Sequence, residues 1–272
     1  MDDIMSRRVV YQISGMDEVH VRNGITYKSV EDGDLKLDVY LPPDLAPNER
    51  RPVVLFVHGE PWTTEAVRFD ALATGQYISW GRLAAASGWI GVPFEHRNSR
   101  ACTALPEVAS DLDDLIAFVR TEIPEADPDR LILWVCSGGG AYGLRAALRH
   151  SPAVRCAVVY YAFLEPLYYR ALIAPEVSDE TLREYSPITA LGQEGVTIPP
   201  LLLARAGKDH HELNETIDRF AAEALRHNVS LDLLNYADGQ HSFEILDDTE
   251  RSRFIIQQTL AFMRLYANPH QP

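Results

Sequence analysis

The sequence predicts an α/β fold, a mostly parallel, doubly wound sheet of about eight strands flanked by helices. Three observations predict it. Short apolar runs alternate along the chain with helical stretches of about 10–15 residues, the signature of βαβ crossovers. Several of those runs are apolar at every position, as strands covered on both faces must be. One of them, LILWV at 131–135, breaks into Cys136-Ser-Gly-Gly-Gly140, where a strand turns sharply into a helix.

The elements follow in order. Residues 25–30 (ITYKSV) and 35–41 (LKLDVYL) alternate apolar and polar side chains around Glu31–Asp34, which predicts a β-hairpin with one buried face. A polar loop containing prolines leads to PVVLFVH (52–58), a fully apolar strand. A helix near 75–87 precedes the strand WIGVPFE (89–95). The next helix, about 106–122, places Val108, Leu112, Leu115, Ile116 and Val119 on one face, and LILWV follows it. Residues 139–150 read as helix and 153–162 as strand. The strand PLLLARA (200–206), a helix at 212–227, the strand LDLLNYA (231–237) and a helix at 249–266 complete the pattern. Residues 163–197 hold helical pieces and no strand, so we read residues 1–272 as a single domain with a cap inserted at about 163–197.

Composition narrows the function. Of 272 residues, 46% are hydrophobic and 24% charged, a globular balance. The formal net charge of −14 argues against nucleic acid and against an anionic membrane surface, both of which need basic excess. The opening MDDIMSRRVV has no apolar run of signal-peptide length, and no stretch approaches a membrane span. Cys102, Cys136 and Cys156 show no metal-ligand spacing, and their odd number fits a reducing cytoplasm. The expectations are therefore a cytoplasmic protein with no metal and no cofactor, whose partner is a small molecule; a homo-oligomer stays open.

The strand-to-helix junction carries the chemistry. The residue at the apex of such a turn is lifted clear of the sheet, and its neighbours two positions away on either side must be small. With Ser137 at the apex those neighbours are Val135 and Gly139; with Cys136 they are Trp134 and Gly138. An indole is the harder fit, so Ser137 is the expected nucleophile, although valine departs from the usual G-x-S-x-G. Gly138, Gly140 and Gly143 also satisfy G-x-G-x-x-G, but the apolar CAVVYYA some 20 residues on offers no acid to hold a ribose.

Four segments resemble the serine esterases of the α/β-hydrolase fold, in particular carboxylesterases and dienelactone-hydrolase-like enzymes. LKLDVYLPPD with RPVVLFVHGEPW looks like their strand pair and oxyanion loop, and DPDRLILWVCSGGG like their nucleophile elbow. PPLLLARAGKDHHELNETIDRF looks like the segment carrying the acid, and LNYADGQHSFE like the loop carrying the histidine. The resemblance spans roughly residues 25–266. It implies Ser137 as nucleophile, Asp209 as acid and His241 as base, in the chain order this fold requires. The residues point the same way, because Asp209 and His241 each follow a predicted strand, at the sheet edge where Ser137 lies. A serine hydroxyl needs an imidazole to take its proton, and a carboxylate to fix that imidazole's tautomer. Asp238, three residues before His241, is a poorly placed alternative acid; His210 and His211 read as solvated helix-start residues, and His58 as a brace of the oxyanion loop.

Esterases similar to this chain often read His-Gly-Gly-Gly-Trp where it has His58-Gly-Glu-Pro-Trp62. Pro61 has no N–H, so the expected oxyanion donors are the amides of Glu60 and Gly138. The Glu60 carboxylate either faces solvent or projects towards the acyl pocket. Trp62, Tyr142, Tyr160 and Tyr161 are the expected substrate-binding residues, with the cap covering an apolar group. The expectation is a carboxylesterase acting on small to medium esters through an acyl-enzyme. A lactonase, thioesterase or small peptidase with the same residues is the alternative; a non-catalytic receptor would have no need of all three.

Overall fold

A computed structural model describes residues 4–267, so the two ends of the expected 1–272 domain, 1–3 and 268–272, lie outside the described residues. The strands are β1 (His20–Val30), β2 (Gly33–Leu41), β3 (Arg51–Val57), β4 (Ile90–Pro93), β5 (Ala126–Cys136), β6 (Val154–Tyr160), β7 (Leu201–Ala206) and β8 (Leu231–Tyr236). The helices are α1 (Gly75–Ala86), α2 (Leu105–Glu122), α3 (Gly140–Arg149), α4 (Asp179–Glu184), α5 (Pro187–Leu191), α6 (His211–Arg226), α7 (Phe243–Leu246) and α8 (Glu250–Ala267). All eight expected strands are present. β1 begins five residues earlier than its alternating stretch, and Val30 pairs with Gly33, which shortens the expected 31–34 turn to Glu31-Asp32.

The strands form one sheet in the order β1-β2-β4-β3-β5-β6-β7-β8. β1, β2 and β4 pair antiparallel, and β3 to β8 run parallel. The order reverses at β3: the chain steps outward to β4, then returns to place β5 on the other side. Such a switch point leaves a crevice beyond the carboxyl ends of the two central strands, where ligands bind in open α/β sheets. Val57 pairs with Val135, so the loop after β3 and the turn after β5 leave the sheet at the same level.

Alternation along the strands sorts the core into two layers. Val53, Leu55 and Val57 of β3 pack with α2, α3 and α6, whereas Val54 and Phe56 pack with α1 and α8. The five α2 residues on the expected apolar face are all buried, and truncating one such residue to alanine costs about 2–5 kcal/mol.

Between β6 and β7 the chain makes a 3-10 turn at Pro166–Leu172, then α4 and α5, with no strand. Ser178 caps α4 and Ser186 caps α5, and the Ser186 hydroxyl also donates to Glu165 at 2.8 Å. Ile173, Val177, Leu182, Tyr185 and Leu191 are buried in the α2/α3/α6 layer, so the segment is fastened to the sheet's cover along much of its length.

Candidate active site

The site begins where β5 ends. Ser137 has φ 52°, the left-handed region that a non-glycine residue occupies only under constraint. It opens a single 3-10 turn that runs directly into α3. Room for Val135 comes from Gly143, one turn further along α3: a Cβ there would lie 2.9 and 3.0 Å from the two Val135 methyl groups. The absent glycine at 135 is thus offset by a glycine at 143. Trp134 points into the α1/α8 layer against Trp80, and Cys136 is buried with its thiol pushed well above its ordinary range, chiefly by burial.

Loops from three strands meet at the serine. The Ser137 Oγ lies 3.0 Å from His241 Nε2, and His241 Nδ1 lies 2.7 Å from Asp209 Oδ2. With Nδ1 donating to the carboxylate, Nε2 is left to accept from the serine hydroxyl. Asp209 follows β7, and its other oxygen accepts from the His210 amide at 2.7 Å. The Asp209 side chain is only 1% exposed against 35% for His241, so the carboxylate is shielded and the imidazole stays open to the cleft.

The His241 loop is tied down on both sides. Before it, the Gln240 amide and side chain donate to Asp247. After it, Ser242 has φ 60° and α7 begins. Glu244 of α7 is buried and accepts from Tyr161, after β6, and from Gln76 of α1 at 2.6 Å. Burial raises its carboxyl to about 7. The Tyr161 ring in turn packs on His241, with centroids 4.6 Å apart.

Glu60 does not face solvent. Its carboxylate accepts from the Ser99 amide at 2.9 Å, from the Ser99 hydroxyl and from Tyr142 at 3.1 Å, and burial raises its pKa. These donors hold it at the wall of the cavities beside Ser137 and fix the loop that carries its amide. Ser99 is presented by an unusual left-handed run, Arg100, Ala101 and Cys102, with φ 48°, 49° and 73°. The Gly138 and Glu60 backbones approach so closely that a Cβ on Gly138 would lie 3.1 Å from the Glu60 nitrogen. His58 does brace the loop: its Nδ1 donates to the Gly59 carbonyl at 2.8 Å, and its ring stacks on His96 at 3.6 Å. Burial holds both imidazoles below their ordinary range, so the stacked pair is neutral.

Two cavities open on either side of Ser137. The smaller, about 260 Å³, is lined by Gly59, Gln76, Tyr77, Tyr161 and His241. The larger, about 430 Å³, is lined by Gly138, Trp62, Phe163, Tyr169 and His241. Of the four expected substrate-binding residues, Trp62 lines the larger cavity and Tyr161 the smaller, whereas Tyr142 and Tyr160 line neither. Tyr142 is buried in α3 and spends its hydroxyl on Glu60. Tyr160 points by strand alternation into the α1/α8 layer, where its hydroxyl pairs with Thr259 at 2.7 Å. Asp238 pairs with Lys208 at the surface, away from His241, and His211 is exposed. His210, expected to be solvated, is exposed at the rim of the larger cavity. Among the described residues, no three His, Cys, Asp or Glu side chains cluster as a metal site, and no helix is long and apolar enough to cross a membrane.

No protein-family model matches the chain. A search of solved structures finds the native form of an esterase from the planctomycete Thermogutta terrifontis, at a TM-score of 0.71 and 19% identity, covering 94% of this chain and 96% of that one. The fold is the α/β-hydrolase fold. The same Thermogutta enzyme phosphonylated by cyclosarin matches at a TM-score of 0.66 and 21% identity, over 91% of this chain and 92% of that one. Among curated proteins, Esterase LipQ of Mycobacterium tuberculosis is 28% identical over 260 residues, 84% of this chain. The chain spans 58% of the length of that relative.

In the α/β-hydrolase fold, nucleophile, acid and base follow one another along the chain, and Ser137, Asp209 and His241 stand after β5, β7 and β8 in that order. Sequence reasoning missed Ser99, His96, Gln76 and Glu244. Of these only Glu244 left a trace, lying three residues beyond His241 in HSFE.

Proposed function

We propose that the chain is a serine carboxylester hydrolase acting through an acyl-enzyme. The observation that carries this reading is the pair of contacts made by His241, 3.0 Å to Ser137 Oγ and 2.7 Å to Asp209 Oδ2. His241 takes the hydroxyl proton as Ser137 attacks the ester carbonyl, and Asp209 stabilises the imidazolium that forms. The amides of Glu60 and Gly138 receive the oxyanion, each contributing about 3–4 kcal/mol at the transition state. His241 then protonates the departing alcohol, and water, activated by the same imidazole, releases the acid.

The LipQ and Thermogutta relatives, both esterases by name, support an ester as the substrate. Cavities of about 260 and 430 Å³ suit small to medium esters. The expectation of a single domain with 163–197 as a fastened cap fits this reading, because Phe163, Tyr169 and Leu172 line the larger cavity. Three free, buried cysteines agree with a reducing cytoplasm.

The test is a panel of p-nitrophenyl esters from acetate to decanoate, alongside lactone, thioester and amide substrates. Ester turnover with a preference for short acyl chains, reduced at least about 10⁴-fold in Ser137→Ala, supports the reading. Turnover of amides or thioesters but not esters would move the activity to another bond.

A further inference from the structure

We infer that the larger cavity beside Ser137 receives a positively charged group, so that the favoured substrates are esters bearing a quaternary or protonated amine. This rests on the esterase reading above, since the cavity shares Ser137 and His241 with the reaction centre.

The walls carry the argument. Trp62, Phe163 and Tyr169 form one continuous aromatic surface, with centroid separations of 5.6 Å (Trp62–Phe163), 5.4 Å (Trp62–Tyr169) and 4.9 Å (Phe163–Tyr169). Trp62 keeps 47% of its surface exposed despite these contacts, which leaves ring area for an occupant. Ring faces are negative, and indole is the strongest of the three as a cation partner. Phe163 and Tyr169 alone would make an apolar pocket.

The charges decide the sign. Glu60 and Glu212 line the same cavity, with His210 at its rim and His241 at its base as the basic groups, and no lysine or arginine does so among the described residues. Arg219 is engaged elsewhere, over the ring of Tyr168 at 4.7 Å, in a different cavity. The Tyr169 phenol is pushed up to about 12, first by burial and then by the carboxylates of Glu212 and Asp209, so the negative field reaches this wall. His241 is the one group here that gains charge during turnover, and Asp209 pairs it at 2.7 Å. A neutral apolar arm would gain from the rings but nothing from the carboxylates. An anionic arm would be repelled by both.

The experiment compares two acetates of nearly equal shape, those of 2-(trimethylammonio)ethanol and of 3,3-dimethylbutanol, which differ in charge. A second pair puts the same two heads on the acyl side of a methyl ester. We expect kcat/KM to favour the cationic member of at least one pair by tenfold or more, equivalent to about 1.4 kcal/mol. Within each variant the ratio is read separately, so a general loss of activity does not enter. Trp62→Ala should bring the ratio close to one, and Glu212→Gln should lower it roughly two- to threefold and weaken its salt dependence. Hydrolysis of the neutral esters with no cation preference in either pair would overturn this inference and leave the esterase reading standing. A preference that survives unchanged in both variants would overturn its assignment to this cavity. Failure to hydrolyse any of the four esters would bring down the esterase reading and this inference with it.

Discussion

Replacing Gly138 by alanine tests the oxyanion arrangement with a single methyl group. Gly138 does not sit at positive φ, so alanine carries no backbone penalty and the effect is purely one of space. The new Cβ would lie 2.8 Å from the Glu60 carbonyl oxygen and 3.1 Å from its nitrogen, where ordinary contact begins at 3.4 Å. The two backbones must therefore part by about 0.6 Å, enough to take one well-aimed donor out of hydrogen-bond range. Glu60 cannot yield freely, because Ser99 and Tyr142 hold its carboxylate. Losing one oxyanion donor costs about 2.7–4 kcal/mol, a fall in kcat of about 10²–10³. KM should change little, since the ground-state carbonyl gains less from these amides than the oxyanion does. The assay is steady-state hydrolysis of p-nitrophenyl acetate, with a thermal melt to verify folding. A folded Gly138→Ala enzyme with kcat within tenfold of wild type would refute the convergence of these two amides on the reacting oxygen.

Three further outcomes follow from the same geometry. Asp209→Asn should lower kcat by about 10⁴ while leaving the fold intact, because the amide no longer holds the imidazole in the reactive tautomer; a loss under tenfold would contradict the role of Asp209. Cys136→Ser should keep kcat/KM within roughly threefold, since a buried, protonated thiol is inert; abolished activity in a folded variant would return the nucleophile to the cysteine. For Glu244, a folded pKa of about 7 lies above the ordinary value of 4.5, so its contribution to stability is complete below pH 4.5 and lost as pH rises through 7. Glu244→Gln removes that dependence, so between pH 4.5 and 8 wild type should lose about 3 kcal/mol more unfolding free energy than the variant. Chemical denaturation at both pH values measures it, and equal losses would show that Glu244 does not titrate in this window.

Much of the fold was legible because the central strands are apolar runs and the outer ones alternate, and because the break at Ser137 joins a buried apolar run to consecutive glycines. Ser137, Asp209 and His241 could be read because each follows a recognisable strand of the parallel half of the sheet. The companions of these residues could not. Ser99 reaches Glu60 only through a left-handed run of three ordinary residues, which no local propensity foretells. Glu244 meets Gln76 and Tyr161 across 168 and 83 residues of chain, so its role exists only after the sheet has closed. Tyr160 and Tyr161 look interchangeable in AVVYYA and share the α1/α8 layer, yet Tyr160 ends β6 with its hydroxyl on Thr259, whereas Tyr161, just beyond the strand at φ 37°, lines the smaller cavity. Val135 looked out of place at the elbow until Gly143 supplied the missing space, and that compensation lies eight residues away along the chain.

The central claim is that Ser137, activated by His241, attacks the substrate. The most direct measurement is labelling of the wild-type protein with an alkyl fluorophosphonate, followed by peptide mapping in a mass spectrometer. The account expects one adduct, on Ser137, absent from Ser137→Ala and from heat-unfolded protein, with Cys136 unmodified. A folded protein that stays unlabelled, or carries the adduct at another residue, would contradict it.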